Sequence, residues 1–416
     1  MMRALFAGVS GLRNHQIMMD VIGNNIANVN TTGYKASRVT FKQAFSQLLQ
    51  GATRPSGQTG GINPLQIGSG VLLGSTDQLF TQGNLDSTGQ PLDLAIQGDS
   101  FFVLSNGLQD MYTRAGNFQL DANGSLISGS SGYIVQGINA DAAGNFLSTS
   151  SITNIQLPIG QKAPARATTE MTLTGNLDAT AGVGATHILG ITVYDSSGTP
   201  HDIQMTFTKT AANTWDWAPT CASAPITPAG AGTVVFNPSG SLASFTYPGG
   251  GTGLTLTPPS GQAFTITIDS GQVNGINGLS GFANPSNAVV SRQDGYTAGD
   301  LMTLTVDAKG IVTGFYNNGV QRNLAQIALA RFTNPGGLTS GSNNTYTETP
   351  NSGLPAVGFA GGTNTSIITA GALEGSNVDI SQEFTQLIIA QRGFQAHARV
   401  ITTADEMLND LVNIRR

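Results

Sequence analysis

Apolar residues recur every seven positions at both ends of this chain, whereas the long stretch between them alternates by two or has no period. Near the C-terminus, Ile380, Leu387, Phe394, Ile401 and Leu408 form one heptad set, with Phe384, Ala398 and Val412 at four-on positions between them. This pattern predicts a long helix with a narrow seam of the coiled-coil kind, interrupted at Gln391 and Asp405. Asp379 and Gln382 have the spacing of an N-terminal capping pair, and no proline follows. At about 1.5 Å per residue the helix would span roughly 50 Å.

The N-terminus carries the same signal. Leu5, Leu12, Met19 and Ile26 are spaced by seven, with Met2, Val9, Gln16 and Gly23 as the alternate set. This helix should end near Val29 or Asn30, where Asn30-Thr31-Thr32-Gly33 tolerates a left-handed turn. Either seam alone suits an amphipathic helix lying on a core. Two seams at the extreme termini are best satisfied if the ends meet in one helical layer. That layer is too thin to be a core, so other subunits should complete it.

Between the ends the period is two. The run YTRAGNFQLDANGSLIS, from Tyr112, predicts two strands around Asn123-Gly124, and the Asp-x-x-Gly segments beginning at Asp141, Asp195 and Asp307 predict further turns. The remaining ligands of a calcium loop are missing from all of them. Short strands at 171–177, 188–194, 203–208, 234–236 and 264–268 predict an inserted β-sandwich or barrel. Trp215 and Trp217 fall on one face of a strand, either filling its inner side or forming a sugar-binding platform. Residues 51–74, with Pro55 and Pro64 among many glycines, read as a linker or extended arm.

The expected fold is therefore mainly β with coiled-coil-like helical termini, in discontinuous domains. A terminal helical domain takes 1–50 with 376–416, the arm 51–74, a split β domain 75–162 with 285–372, and an inserted outer β domain 163–284.

Composition sharpens this picture. Charged residues make up only 10% of the chain, and 54 glycines suit many short strands and tight turns. The net charge of −6 hides an asymmetry, because residues 1–50 hold five Lys/Arg against one Asp. No basic patch suited to nucleic acid is present. Cys221 is the one cysteine, so there is no disulfide framework or cysteine-based metal site, and a small buried hydrophobe is its simplest role. His15 and His397 lie on the terminal helices, where they could approach one another; His187 and His201 lie in the insertion. None has a catalytic context, so no catalytic, cofactor or metal residue is assigned, and the chain reads as non-enzymatic. No transmembrane stretch appears. The opening apolar run continues directly into the seam, which a cleaved signal would destroy.

The stretch SGLRNHQIMMDVIGNNIANVNTTGYKASRVTF, from Ser10, resembles the N-terminal signature of the bacterial flagellar rod and hook proteins. Asp20, Gly23, Asn24, Asn25, Asn28, Asn30, Thr32, Gly33 and Tyr34 carry the match. Amides at Asn24, Asn25 and Asn28 can fix register between neighbouring helices or simply face solvent. The arm segment GINPLQIGSGV is similar to that of the distal rod protein. The stretches 82–104, 194–210 and 287–332 resemble hook-family strands, with Ser100 standing where glycine is usual, and Leu373 to Val412 resembles the C-terminal signature. The resemblance implies a subunit that polymerises into a flexible curved tube, a universal joint passing motor torque to the filament. Paired helices would form its inner wall, the split β domain the middle and the insertion the outside. The resemblance also implies partners in the rod, the hook cap, the hook–filament junction proteins and the type III export apparatus, in an extracellular flagellar location reached without a cleaved signal peptide. The alternatives are a distal rod protein and, from another class, a secreted β-rich adhesin using the two tryptophans.

Overall fold

The computed structural model describes residues 2–55, 60–141, 144–147, 151–160, 162–259, 261–362 and 365–413. It is mostly β, with a helix at each end: α1 (Met2–Ala27) and α2 (Ile380–Asn413). Asp379 caps α2 as its position suggested, accepting hydrogen bonds from the Ser381 and Gln382 N–H groups at 2.8 and 3.2 Å. The two helices pack along one another within the first of two compact units.

That first unit takes Met1–Leu157, Leu304–Gly314 and Arg322–Arg416. After α1 the chain forms a long two-stranded arm. Strand β1 (Ser37–Gln43) pairs antiparallel with β4 (Val71–Gln78), and β2 (Ser46–Gln50) with β3 (Leu65–Gly68). Residues 37–43 and 46–50, placed by the sequence in the helical layer, are therefore strands, and residues 56–59 of the arm lie outside the described residues. Beyond the arm, an antiparallel sheet includes Phe101–Ser105, Asp110–Thr113, Leu329–Arg331 and Thr345–Thr347. One side is sealed by edge-to-face aromatics, with Phe101 lying 5.6, 5.8 and 5.8 Å from Phe80, Phe332 and Tyr346. Just before α2, Ala372–Glu374 pairs with Leu85–Ser87, so the chain segments leading out of and into the helix pair converge.

The hairpin around Asn123-Gly124 is present, with Gly124 at φ 80° and strands Phe118–Leu120 and Leu126–Ser128. At Asp121, Asp195 and Asp307 the same turn recurs: the Asp carbonyl accepts from the glycine N–H three residues on, and the carboxylate accepts two further backbone N–H groups. These carboxylates are occupied by their own turns.

The second unit takes Pro158–Thr303 and Phe315–Gln321. A five-stranded antiparallel sheet, ordered Thr186–Tyr194, Pro200–Ala211, Thr214–Cys221, Gly232–Phe236 and Leu242–Phe245, shares one apolar core with a six-stranded mixed sheet. Trp215 and Trp217 are fully buried in that core. Trp217 stacks on Phe245 at 5.1 Å and donates from Nε1 to the Thr246 carbonyl at 3.0 Å. Neither ring is open to a ligand, which removes the feature on which the adhesin alternative rested.

Candidate functional site: the paired termini

α1 and α2 run antiparallel. Gly8 lies against Ile401, Gly11 against His397, His15 against Gly393 and Asn25 against Glu383. At the centre the contact is reciprocal: a β-carbon built on Gly11 would sit 2.5 Å from the His397 ring, and one on Gly393 2.6 Å from the His15 ring. Each imidazole occupies space that the glycine opposite leaves empty. The rings stand 5.3 Å apart, with Phe41 of β1 edge-on to His15 at 5.9 Å. Burial, and secondarily the neighbouring His397, pushes the His15 imidazole below its ordinary pKa. Its buried Nδ1 has no hydrogen-bond partner among the described residues.

Of the seam residues expected from sequence, Leu5, Leu12, Met19, Ile26, Leu387, Phe394, Ile401 and Leu408 are half-buried. The set that completes the intrachain seam stands three residues on rather than four. It comprises Gly8, His15 and Ile22 on α1 and Ala390, His397 and Ala404 on α2. The four-on residues Met2, Val9, Gln16, Gly23, Phe384 and Val412 are exposed, as is Ile380, while Ala398 is half-buried. A heptad steps by three and by four, and apolar bulk favours the four-step. Close helix approach instead selects small residues, here Gly8, Gly11, Ala390, Gly393 and Ala404. The larger apolar residues are left facing outward.

The signature residues build the junction between this pair and the β unit. Asn25 is buried: its Oδ1 accepts from the Ser37 N–H and the Tyr34 hydroxyl at 2.9 and 3.1 Å, and its Nδ2 donates to the Ser37 carbonyl and Glu383 Oε1 at 2.8 and 3.1 Å. One amide thereby ties α1, the strand that follows it and α2. Burial raises the Glu383 carboxyl above its ordinary pKa, against the bond from Asn25. Asn24 donates to the Tyr34 hydroxyl, Asn28 donates back to Asn24, and the Thr32 carbonyl accepts from Asn344. Gly33 adopts φ 70°, donates to the Glu374 carbonyl at 2.8 Å and lies so near Ala115 that a β-carbon would come within 2.6 Å of its nitrogen. Asp20, Gly23 and Asn30 are exposed.

Three further residues do more here than the sequence reading assigned to them. Lys35, Arg114 and Glu374 are fully buried together, with Lys35 Nζ 2.7 Å from Glu374 Oε1 and Arg114 Nη1 3.5 Å from Oε2. Lys35 Nζ also donates to the Thr81 carbonyl at 2.8 Å. Burial lowers the Lys35 pKa more than its Glu374 contact raises it. In a chain with so few charges, Lys35 at the end of the signature was the available clue. Gly8, Gly11 and Gly393 carried no such signal, because an isolated helical glycine usually reads as a defect. The other histidines support local structure. His187 Nε2 meets the Ala288 carbonyl at 2.9 Å, and His201 lies between Ser223 and the turn residue Asp195, whose Oδ2 is 3.5 Å away.

Four family models match the chain: flagella basal body rod protein at 5–35, flagellar hook protein FlgE/F/G D1 domain at 95–175, flagellar basal body protein FlaE D2 domain at 163–296, and flagellar basal body rod FlgEFG protein C-terminal at 369–414. The flagellar hook protein FlgE of Treponema pallidum (strain Nichols) is 39% identical over 463 residues, with both chains fully covered. The chain belongs to the flagellar hook protein family. FlgE of Borreliella burgdorferi is 37% identical, again over the whole of both chains. The crystal structure of Helicobacter pylori flagellar hook protein FlgE2 shares the fold at a TM-score of 0.52 and 16% identity, covering 69% of this chain and 100% of that one. Bacillus subtilis flagellar basal-body rod protein FlgG also aligns with the whole chain, at 30% identity. Extent of alignment therefore does not separate hook from rod; the higher identity to the hook relatives favours the hook.

Proposed function

We propose that the protein is the structural, non-enzymatic subunit of a bacterial flagellar hook. It polymerises into a flexible curved tube that passes motor torque to the filament, with the paired terminal helices forming the inner wall. It works outside the cell and meets rod, hook-cap and hook–filament junction proteins at the ends of its polymer. The observation that carries this reading is the unfinished helix pair. α1 and α2 bury small residues against each other while Phe6 remains 65% exposed, Phe384 50% and Val412 68%. Apolar surface of that extent on two long helices calls for neighbouring copies. Away from the helix pair, the low charge of the outer, Gly/Ser/Thr/Asn-rich β surfaces suits contacts that must slide as a curved tube turns, because few ion pairs there would fix one register.

The rod reading keeps one observation in its favour, the full-length relative named as a rod protein. Electron microscopy of the purified chain under salting-out conditions separates the cases. Curved, flexible tubes are expected; straight rigid rods would favour the rod protein, and isolated particles would contradict both.

A further inference from the structure

The outward apolar residues of the helix pair form two distinct features of the first unit. On α1, Phe6, Val9 and Arg13 stand in one row, on the face opposite Gly8, Gly11 and His15. Strand β4 runs beside that row, brought close because Gly70 faces Ser10 with no side chain between: a β-carbon there would lie 2.5 Å from the Ser10 hydroxyl. The result is an open groove of about 400 Å³ lined by Phe6, Val9, Arg13, Ile17, Leu72 and Leu73. Arg13 has neither an ion pair nor a side-chain hydrogen bond among the described residues.

The second feature is the last third of α2. Met407 and Leu411, four apart and 51% and 56% exposed, make an apolar ridge that begins at Val400, whose own side chain borders Gly8 of α1. Glu406 and Asp410, one position before Met407 and Leu411, form an acidic row along its edge. Residues 400–416 contain three acidic residues, Asp405, Glu406 and Asp410, and two basic ones at the very end, Arg415 and Arg416, whereas residues 1–50 contain five basic and one acidic. Given the pairing of Gly8 with Ile401, the final turn of α2 runs past the described start of α1, so it has no part of that helix beside it.

We propose that the α1–β4 groove of one subunit receives the C-terminal third of α2 from a second copy of the chain. Met407 and Leu411 enter the apolar groove, and Glu406 and Asp410 close on Arg13. The occupant is a second copy because a subunit's own α2 lies on the opposite face of α1, and because ridge and groove match in both apolar spacing and charge. Groove and ridge are different surfaces of one molecule, so the contact is of the head-to-tail kind that can repeat from subunit to subunit into an open helix. The inference rests on the tube reading and names the contact that would build the tube.

The test is the critical concentration for polymerisation of the full chain at low ionic strength with polyethylene glycol as crowder, where charge pairing is little screened. Arg13→Glu, and separately Glu406→Arg with Asp410→Arg, should each raise it by about tenfold or more, since apposed like charges cost more than the 1.4 kcal/mol that corresponds to a factor of ten. Combining all three substitutions should bring it back to within about threefold of the unaltered chain. Polymer from Arg13→Glu at the unaltered concentration would overturn this contact and leave the groove to another occupant, without touching the hook reading. Failure of the combined variant to recover would also overturn it. Absence of polymer from the unaltered chain would remove the hook reading and the contact together.

Discussion

Glu374 is the residue on which the junction depends most. Among the described residues it is the carboxylate in ion-pair contact with two cations, Lys35 and Arg114, that are as buried as it is. A complete buried cluster adds little net stability over apolar residues of the same shape, but removing one member strands the others away from water. Glu374→Gln keeps the shape and removes the charge. It should lower the stability of the monomer's β structure by about 3 kcal/mol in urea unfolding at neutral pH. A change below about 0.5 kcal/mol would show that water reaches the cluster and that the cations need no partner. The amide roles were partly legible from sequence: of three asparagines considered for fixing helix register, Asn25 is the buried one that reaches α2. The glycine roles were not, because a glycine that matters by admitting a histidine from the opposite end of the chain, as Gly11 admits His397, leaves no local trace.

At the scale of elements, the helices and most strands of the second unit were readable from period, caps and turns. The arm's strands were harder to read, because β1 to β4 form an exposed two-stranded ribbon and lack the alternation that a core imposes. Seam phase was lost for a related reason: apolar bulk marks where large residues stand, not where two backbones come closest. The helix pair should also respond to acid. A free imidazole gains its proton near pH 6.5, and His15, faced by His397 from α2 and Phe41 from β1, resists that proton in the pair. Its paired pKa is therefore the lower one, and the separated helices bind more protons between the two values. Pairing is at full strength above about 6.5 and weakens as pH falls through that value. Proton NMR of the His15 ring in the paired state should give a midpoint below 6.5. A midpoint at that value would mean a solvated ring and one above it a carboxylate partner, and either would contradict the packing of His15 on Gly393.

For the whole molecule, the separation of helical ends from a β body is legible in the sequence, because heptads are confined to the termini and the stretch between them has a period of two. The partners of those heptads were not visible, since a seam that can pair within a chain or between chains reads the same in one sequence. The structure supplies the intrachain half, a close antiparallel pair built on small residues, and leaves the larger apolar residues facing outward. The account requires that this outward surface be buried in a tube. Helical reconstruction by electron cryomicroscopy of the polymer is the direct test. The account predicts a hollow tube whose channel is lined by α1–α2 pairs, with Phe6 and Leu411 covered by neighbouring subunits. A channel lined by strands, or terminal helices left facing solvent with those residues uncovered, would contradict it.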